Sequence, residues 1–426
     1  MKIAIIGSGI AGNVVARQLH REHDITVFEA GAHIGGHTHT HDIEIGGKNF
    51  AVDTGFIVFN DWTYPNFIEL IRDLGVESRP SHMSFSVRCE RSGLEYNGTS
   101  FDTLFAQRRN LLRPRFWRML RDILRFNREA PQLLDASAAE TLTLGEYLVN
   151  GNFSREFIDY YIIPMGAAIW SADPEKMRQF PARYFVRFFH NHGMLSVDGR
   201  PQWRVIEGGS RRYVQKLVAP FRERVRLNTP VEWVRRYPTH VSVKARGREA
   251  ERFDALFLAC HSDQALRLLS DPMPLERAVL GAIPYQENEV VLHTDTRLLP
   301  RTRRAWAAWN YHVLPEARGR AAVTYNMNIL QGLEAPVTFC VTLNRSEAIA
   351  PGRVIRRLTY HHPVYTRESV AAQARQGEIN GMHRTYYCGA YWRHGFHEDG
   401  VVSALAAVEH FHARQPHAQR HLRRAG

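Results

Sequence analysis

At 426 residues the chain is long enough for two or three domains, and 44% hydrophobic content is ordinary for a protein that buries a real core. Its four cysteines (Cys89, Cys260, Cys340, Cys388) are widely spaced and lack a C-x-x-C pair, which excludes a disulfide framework and fits a reducing cytoplasm. The formal charge of +12 asks for an anionic partner, and with no nucleic-acid recognition motif present, an anionic membrane surface is the better fit.

The first strand is expected from Lys2 to Ile6, which leaves no room for a signal peptide. It empties into Gly7-Ser8-Gly9-Ile10-Ala11-Gly12, and helix character follows from Asn13 to His20. Ile25 to Phe28 is β-branched and aromatic and ends at Glu29. In this pattern Gly7 permits the tight turn, Gly9 lets the backbone approach a pyrophosphate, and Gly12 lets the helix pack close to the sheet. The helix N-terminus at Ile10 and Ala11 offers free N–H groups and a positive dipole end to phosphates. Glu29 stands where an acidic side chain accepts hydrogen bonds from an adenosine ribose. The stretch therefore predicts dinucleotide binding, and Glu29 suits NAD or FAD equally.

A second glycine pair, Gly35-Gly36, comes next and is followed by His37, His39 and His41. Asp53 to Asn60 contains Gly55 and Phe56. Residues 108–125 are rich in arginine, with Pro114 suited to the first turn of a helix. Leu112, Phe116, Leu120, Ile123 and Leu124 are expected on one face, with Arg115, Arg118, Arg121 and Arg125 opposite. That pattern describes either an interfacial helix on a membrane or a helix packed on the protein with a solvated basic face. The longest nearly apolar run, Tyr160 to Ala172, is far short of the ~20 residues that span a bilayer. It contains Pro164 and Gly166 and reads as a buried segment lining a pocket. Trp203 to Ser210 holds a Gly208-Gly209 turn followed by Tyr213; Val225 to Val231 and Phe253 to Cys260 read as strands. Tyr387 to Tyr391 surrounds Gly389, and Gly395-Phe396-His397-Glu398-Asp399-Gly400 precedes an apolar helix from Val401.

Four motifs in this order, spanning residues 3 to about 410, resemble the flavoprotein amine oxidase and phytoene desaturase superfamily. The resemblance implies an α/β fold, in which a GR2-type Rossmann-like FAD-binding domain (1–60, 200–275 and 380–426) is interleaved with a mixed α+β substrate domain (61–199 and 276–379). It implies non-covalent FAD as the cofactor. The Gly35-Gly36 turn would continue the pyrophosphate site, with His37 standing where the family usually has an arginine. The end of the strand at Val231 would meet the adenine side. Gly389 would end a strand, and Phe396, His397, Glu398 and Asp399 would open a helix whose N-terminus points at the flavin ring and stabilises its anionic reduced form. More narrowly, Asp53 to Asn60, Leu292 to Asp295 and Gly395 to Asp399 are similar to a bacterial branch of predicted NAD/FAD-binding proteins. That branch resembles the N-terminal flavoprotein-like region of plant cyclopropane fatty acid synthases, which points to a lipid acyl chain as substrate.

Several residues carry competing readings. His37 is a flavin or pyrophosphate contact, a surface loop histidine or a metal ligand; no acidic or thiol partner is spaced with it, so no metal is expected. His190, His192, His361 and His362 read as ordinary polar residues, and the tail His410 to Arg424 as the solvated end of the last helix. Glu398 and Asp399 are explained in part as helix N-terminal caps. Cys388 is displaced from the family's covalent attachment site and reads as a buried thiol. Amine-oxidising relatives carry a lysine where Asn288 and Glu289 stand here, and no lysine follows Lys244, which argues against amine chemistry. Trp170, Trp309, Tyr311 and Tyr325 are candidate pocket walls; no general base can be named. The expected function is an FAD-dependent oxidoreductase accepting a hydride from a C–H bond of an apolar substrate, on a cytoplasmic protein able to sit on the inner face of the membrane. The alternatives are a flavin amine oxidase, or a non-catalytic flavoprotein-like lipid-binding partner of an acyl-modifying enzyme.

Overall fold

A computed structural model describes residues 1–135, 142–316 and 319–414. The tail beyond 414, including most of the His- and Arg-rich segment, lies outside the described residues.

The strands β1 (Lys2–Ile6) and β2 (Asp24–Phe28) flank the helix α1 (Ile10–Leu19), as the glycine turn and the two apolar runs predict. They join a five-stranded parallel sheet with β1 at its centre, between β2 and the strand Ala255–Leu258, and with Val225–Arg226 and Thr385–Tyr387 at the edges. Strand side chains alternate between faces, so Ile3 and Ile5 pack with Val14, Val15, Ala404 and Ala407 against α1 and the closing helix His397–Ala413. Ala4 and Ile6 face the other way, onto Val234, Val241 and Val243 of a three-stranded antiparallel sheet. A sheet covered on both faces needs unbroken apolar strands, and the burial of β1 and β2 follows that rule.

One expected strand is shorter than its sequence suggested. Val225 to Val231 pairs with β2 only at Val225 and Arg226. The chain then turns through Asn228 (φ 50°) and Pro230, because Glu29 accepts the Thr229 N–H at its carbonyl and pulls the segment across the end of β2. Val231 opens a different strand, Val231–Arg236, paired with Ala245.

A seven-stranded sheet stands apart from the first. It is built from Val354–Pro363, Tyr285–His293, Cys340–Leu343, Val323–Asn326, Trp309–Val313, Phe85–Cys89 and Glu95–Asn97 in that spatial order. Helices between residues 114 and 191 share its core. The chain alternates between the two sheets, from 2–28 to 85–97, back to 225–258, out to 285–363 and home at 385–387.

The arginine-rich segment forms the helix Pro114–Glu129 with Pro114 in its first turn; its inner face shares Phe116, Leu120 and Ile123 with the one expected but is rotated away from Leu112 and Leu124. Phe116, Met119, Asp122 and Phe126 point inward: Phe116 meets Tyr96 and Phe105, Phe126 meets Phe157, and the Asp122 carboxylate accepts the Ser154 N–H at 2.8 Å. Leu120 and Ile123 are half-buried, whereas Leu112, Trp117 and Leu124 face out. The aromatic core chose the stripe that could interdigitate with it, and Leu112 belongs to a separate turn, Arg108–Leu112.

Candidate active site

The carboxyl ends of the five parallel strands lie along one edge, the place where such sheets bind ligands. Gly7, Glu29, Ala259 and Cys388 follow the ends of four of them. Gly7 has φ 105°, and a Cβ there would lie 2.7 Å from the Ala259 carbonyl oxygen. A Cβ at Gly12 would lie 1.9 Å from the Gly7 oxygen, so α1 reaches the turn only with glycine at this position. A Cβ at Gly9 would meet nothing within 4 Å, which leaves the open cradle over the α1 N-terminus that a pyrophosphate requires.

The second glycine pair folds back onto the first turn. Gly35 donates its N–H to the Ser8 carbonyl at 3.0 Å, and a Cβ at Gly36 would stand 3.1 Å from the Gly9 Cα. Glu29 accepts from the Ser8 N–H at 3.0 Å and from the Gly31 N–H at 2.7 Å, which pins both glycine turns to the end of β2. The Ser8 hydroxyl also donates to this carboxylate at 2.5 Å, which leaves about one of its four acceptor sites open. These features fit FAD: an open phosphate cradle, an acid at the end of β2, and a second glycine turn beside it.

From this edge the chain enters a cavity of about 750 Å³, within the range of small-molecule sites. His37, Gly55, Phe56, Phe396 and His397 are brought together in its wall, although they come from three distant segments. Gly55 packs on the His37 carbonyl, which accepts the Phe56 N–H at 2.8 Å. The His397 ring stacks on Phe56 at 3.6 Å, and its Nε2 lies 2.7 Å from the Tyr213 hydroxyl and 3.0 Å from Thr38 Oγ1. The closing helix begins here. A Cβ at Gly400 would meet Ile10 Cγ2 at 2.6 Å, so the N-termini of this helix and of α1 converge. Two positive dipole ends therefore meet beside the glycine turns.

The other expected site residues do not line the cavity. Gly7, Gly9, Ile10, Ala11, Gly12 and Glu29 lie at the carboxyl edge of the parallel sheet and the start of α1, and Val231 stands beyond them, half-buried, after the 227–230 turn. Gly389 follows the edge strand and donates its N–H to Ser403 Oγ. Glu398 turns to a neighbouring helix, where it accepts the Asn66 and Phe67 N–H groups at 3.1 and 2.9 Å. Asp399 caps the closing helix by accepting the Phe396 N–H at 2.9 Å, and burial pushes its carboxyl up to about 7. The Cys388 thiol is buried and its pKa is raised by desolvation. Trp170, Trp309 and Tyr325 line the cavity, as do Tyr161, Met165, Ile169 and Ser171 of the apolar run; Tyr311 does not and belongs to the core.

Sequence reasoning passed over several contributors. His362 and Tyr360 come from the long strand Val354–Pro363 and face His37, with ring centroids 5.5 and 4.9 Å away. His362 Nδ1 lies 2.9 Å from the Asn288 amide, whose N–H₂ donates and leaves the ring proton on Nε2. Burial pushes His37 down to about 4 and His362 to about 3, and His397 well below its usual value, so all three are neutral. His192, also in the wall, is held by Thr63 and by the Phe188 carbonyl. The alternation of His362 along its strand was the available signal, but only pairing across the sheet identifies its neighbours. His33, His39 and His41 stack on one another, apart from His37, and among the described residues no group of three or more His, Cys, Asp or Glu could hold a metal ion. Asp53 was not singled out either. Buried and pushed up to about 6, it accepts from Ser210 in the Gly-Gly turn and from the Gln331 amide, tying the phosphate side to the seven-stranded side.

Comparison with known proteins agrees with this geometry. Residues 10–329 match the model of the flavin containing amine oxidoreductase family. No curated protein matches the chain. Among solved structures, cyclohexylamine oxidase from Brevibacterium oxydans IH-35A is similar with a TM-score of 0.68 and 16% identity, over 96% of this chain and 99% of that one. The CLA-producing fatty acid isomerase from P. acnes is similar with a TM-score of 0.69 and 16% identity, over 96% and 98%. At such identity the likeness is one of fold, whereas the family match covers most of the chain. The chain belongs to the flavin containing amine oxidoreductase family and is an FAD-dependent oxidoreductase.

Proposed function

We propose that the protein oxidises a C–H bond of an apolar substrate, with a fatty acyl chain as the chemistry that fits best. The observation that carries this reading is the cavity wall. Among the described residues no Asp, Glu or Lys lines it, its one Arg is the exposed Arg200, and His37, His192, His362, His394 and His397 are held neutral by burial. A desolvated ammonium without a counter-ion costs several kcal/mol. A methylene chain instead gains about 25 cal/mol per Å² of apolar surface removed from water. Where amine-oxidising relatives carry a lysine, this chain has Asn288 and Glu289; the Asn288 side chain is engaged by His362 and Asn344, and the Glu289 carboxylate accepts from Ser346 and Arg357.

Bound FAD supplies the two-electron acceptor. The chain's own part is positioning and exclusion of water. Trp170, Trp309, Tyr325 and Tyr365 form the apolar barrel of the cavity, Phe56 and His397 stack at its inner end, and the convergent helix N-termini favour negative charge there. The test is anaerobic titration of the holoenzyme with unsaturated fatty acids, extracted membrane lipids and a panel of primary amines, read by flavin absorbance. Bleaching by lipids alone is expected. Bleaching by amines alone would replace this reading with amine oxidation, and no bleaching by either would favour a non-catalytic lipid-binding partner.

A further inference from the structure

Oxidation of an acyl chain, the reading on which this inference rests for its purpose, requires a route from a bilayer to a buried cavity. The surface beside the cavity mouth offers one. Gly98 and Thr99 line the cavity and are also exposed. Immediately beyond them Phe101 is 68% exposed, Leu112 86% and Leu124 59%, with Leu111 and Trp117 also outside. Of the ten large apolar side chains left exposed among the described residues, these five fall within 24 positions of sequence. Three of them, Phe101, Leu111 and Trp117, are also connected in space. Phe101 packs on Phe105 at 4.7 Å, Phe105 on Trp117 at 5.2 Å, and the Trp117 indole N–H donates to the Leu111 carbonyl at 2.8 Å. The anchors are thus held by buried structure rather than loose in solvent.

Exposed Arg109, Arg115, Arg118 and Arg121 surround them. Glu156 is shared between Arg115 and Arg118 at 3.7 and 4.0 Å, and Arg121 has no acidic partner among the described residues. Apolar anchors set among arginines match a boundary that is negative at its surface and apolar beneath. A nucleic acid or an acidic protein surface satisfies the arginines but gives Leu112 and Trp117 nothing to enter. We propose that this surface docks the protein on an anionic lipid bilayer, with the Gly98–Thr99 side of the cavity mouth against the headgroups.

The test is co-sedimentation of the holoenzyme with phosphatidylglycerol vesicles at low ionic strength, where screening is weak. Wild type is expected to bind, to release at high salt, and to partition at least about tenfold more weakly onto phosphatidylcholine. The double variants Leu112→Ala/Trp117→Ala and Arg118→Glu/Arg121→Glu should each lose about tenfold or more in partitioning. The control Arg246→Ala/Arg248→Ala, in the turn between Val241–Ala245 and Glu251–Phe253 of the three-stranded sheet, should lose little. Wild-type-like binding by the patch variants, no binding by wild type, or equal loss in the control overturns the proposal. So does a solution dimer that Leu112→Glu dissociates, since a second copy then covers the patch. Flavin reduction by micellar lipid, read on the same samples, separates the two readings. Docking lost with reduction intact removes the surface alone, and reduction absent with docking intact removes the lipid substrate alone.

Discussion

Glu29 follows β2 and accepts the Ser8 and Gly31 N–H groups there; a ribose contact is the further role we propose for it. Glu29→Ala should weaken FAD binding through the loss of a charged hydrogen bond worth roughly 1.5–3 kcal/mol, about 10- to 150-fold in affinity. Fluorescence titration of the apoprotein measures it, and an unchanged dissociation constant would remove the ribose role. Cys388 makes the opposite case. A buried thiol with a raised pKa is a poor nucleophile, so Cys388→Ser should purify as yellow as wild type, and acid should release the flavin from both. Flavin that stays with the wild-type precipitate but leaves the variant would establish a covalent link.

At the scale of elements, the glycine turns are defined by what they touch. The α1 helix meets the β1 turn through Gly12, where a Cβ would come within 1.9 Å of the Gly7 oxygen. Gly12→Ala must push the helix off the sheet, at about 3 kcal/mol, the upper end of overpacking costs. The expected result is colourless, less stable protein; a yellow variant with the wild-type Tm would show that the contact yields easily. Gly9→Ala has space around its Cβ, so it should retain stability and lose cofactor affinity instead. Comparing the two variants distinguishes a packing glycine from a ligand-approach glycine within one turn.

Across the whole molecule the buried histidines set the response to acid. Burial depresses His37 and His192 to about 4 and His261, His362 and His394 to about 3. Their folded values lie below the unfolded one near 6.5, so the stability they contribute is present above that pH and is lost as pH falls toward 4 and 3. Asp53 and Asp399, raised to about 6 and 7, act in the opposite sense, since their contribution is lost as pH rises through those values. Five histidines outweigh two acids in the interval below 6.5. The Tm should therefore fall between about pH 7 and pH 5, with net proton uptake on unfolding. A flat or rising Tm would mean that these imidazoles titrate freely in the folded protein.

The sequence by itself determined the parts of this protein whose physics is local. A strand, a glycine turn and a helix N-terminus are encoded within a dozen consecutive residues, so β1, its turn and α1 were legible; a family pattern singled out Gly55, Phe56 and His397, which the fold brings into one cavity wall. What only the tertiary structure decided was which distant segments meet. His362 reads as an ordinary strand histidine until the seven-stranded sheet brings it within 5.5 Å of His37. Asp53 is one carboxylate among many until it joins Ser210 to Gln331. Glu398, at the head of its helix, spends its oxygens on Asn66 and Phe67 because the neighbouring helix offers two free N–H groups there. The arginine-rich helix makes the same point about faces. Periodicity found an amphipathic helix and placed Phe116 on its inner face, but an aromatic core also drew in Phe126 and left Trp117 and Leu124 outside. Local propensity can specify an element, whereas the direction its side chains face is settled by the packing partner, which one-dimensional sequence does not display.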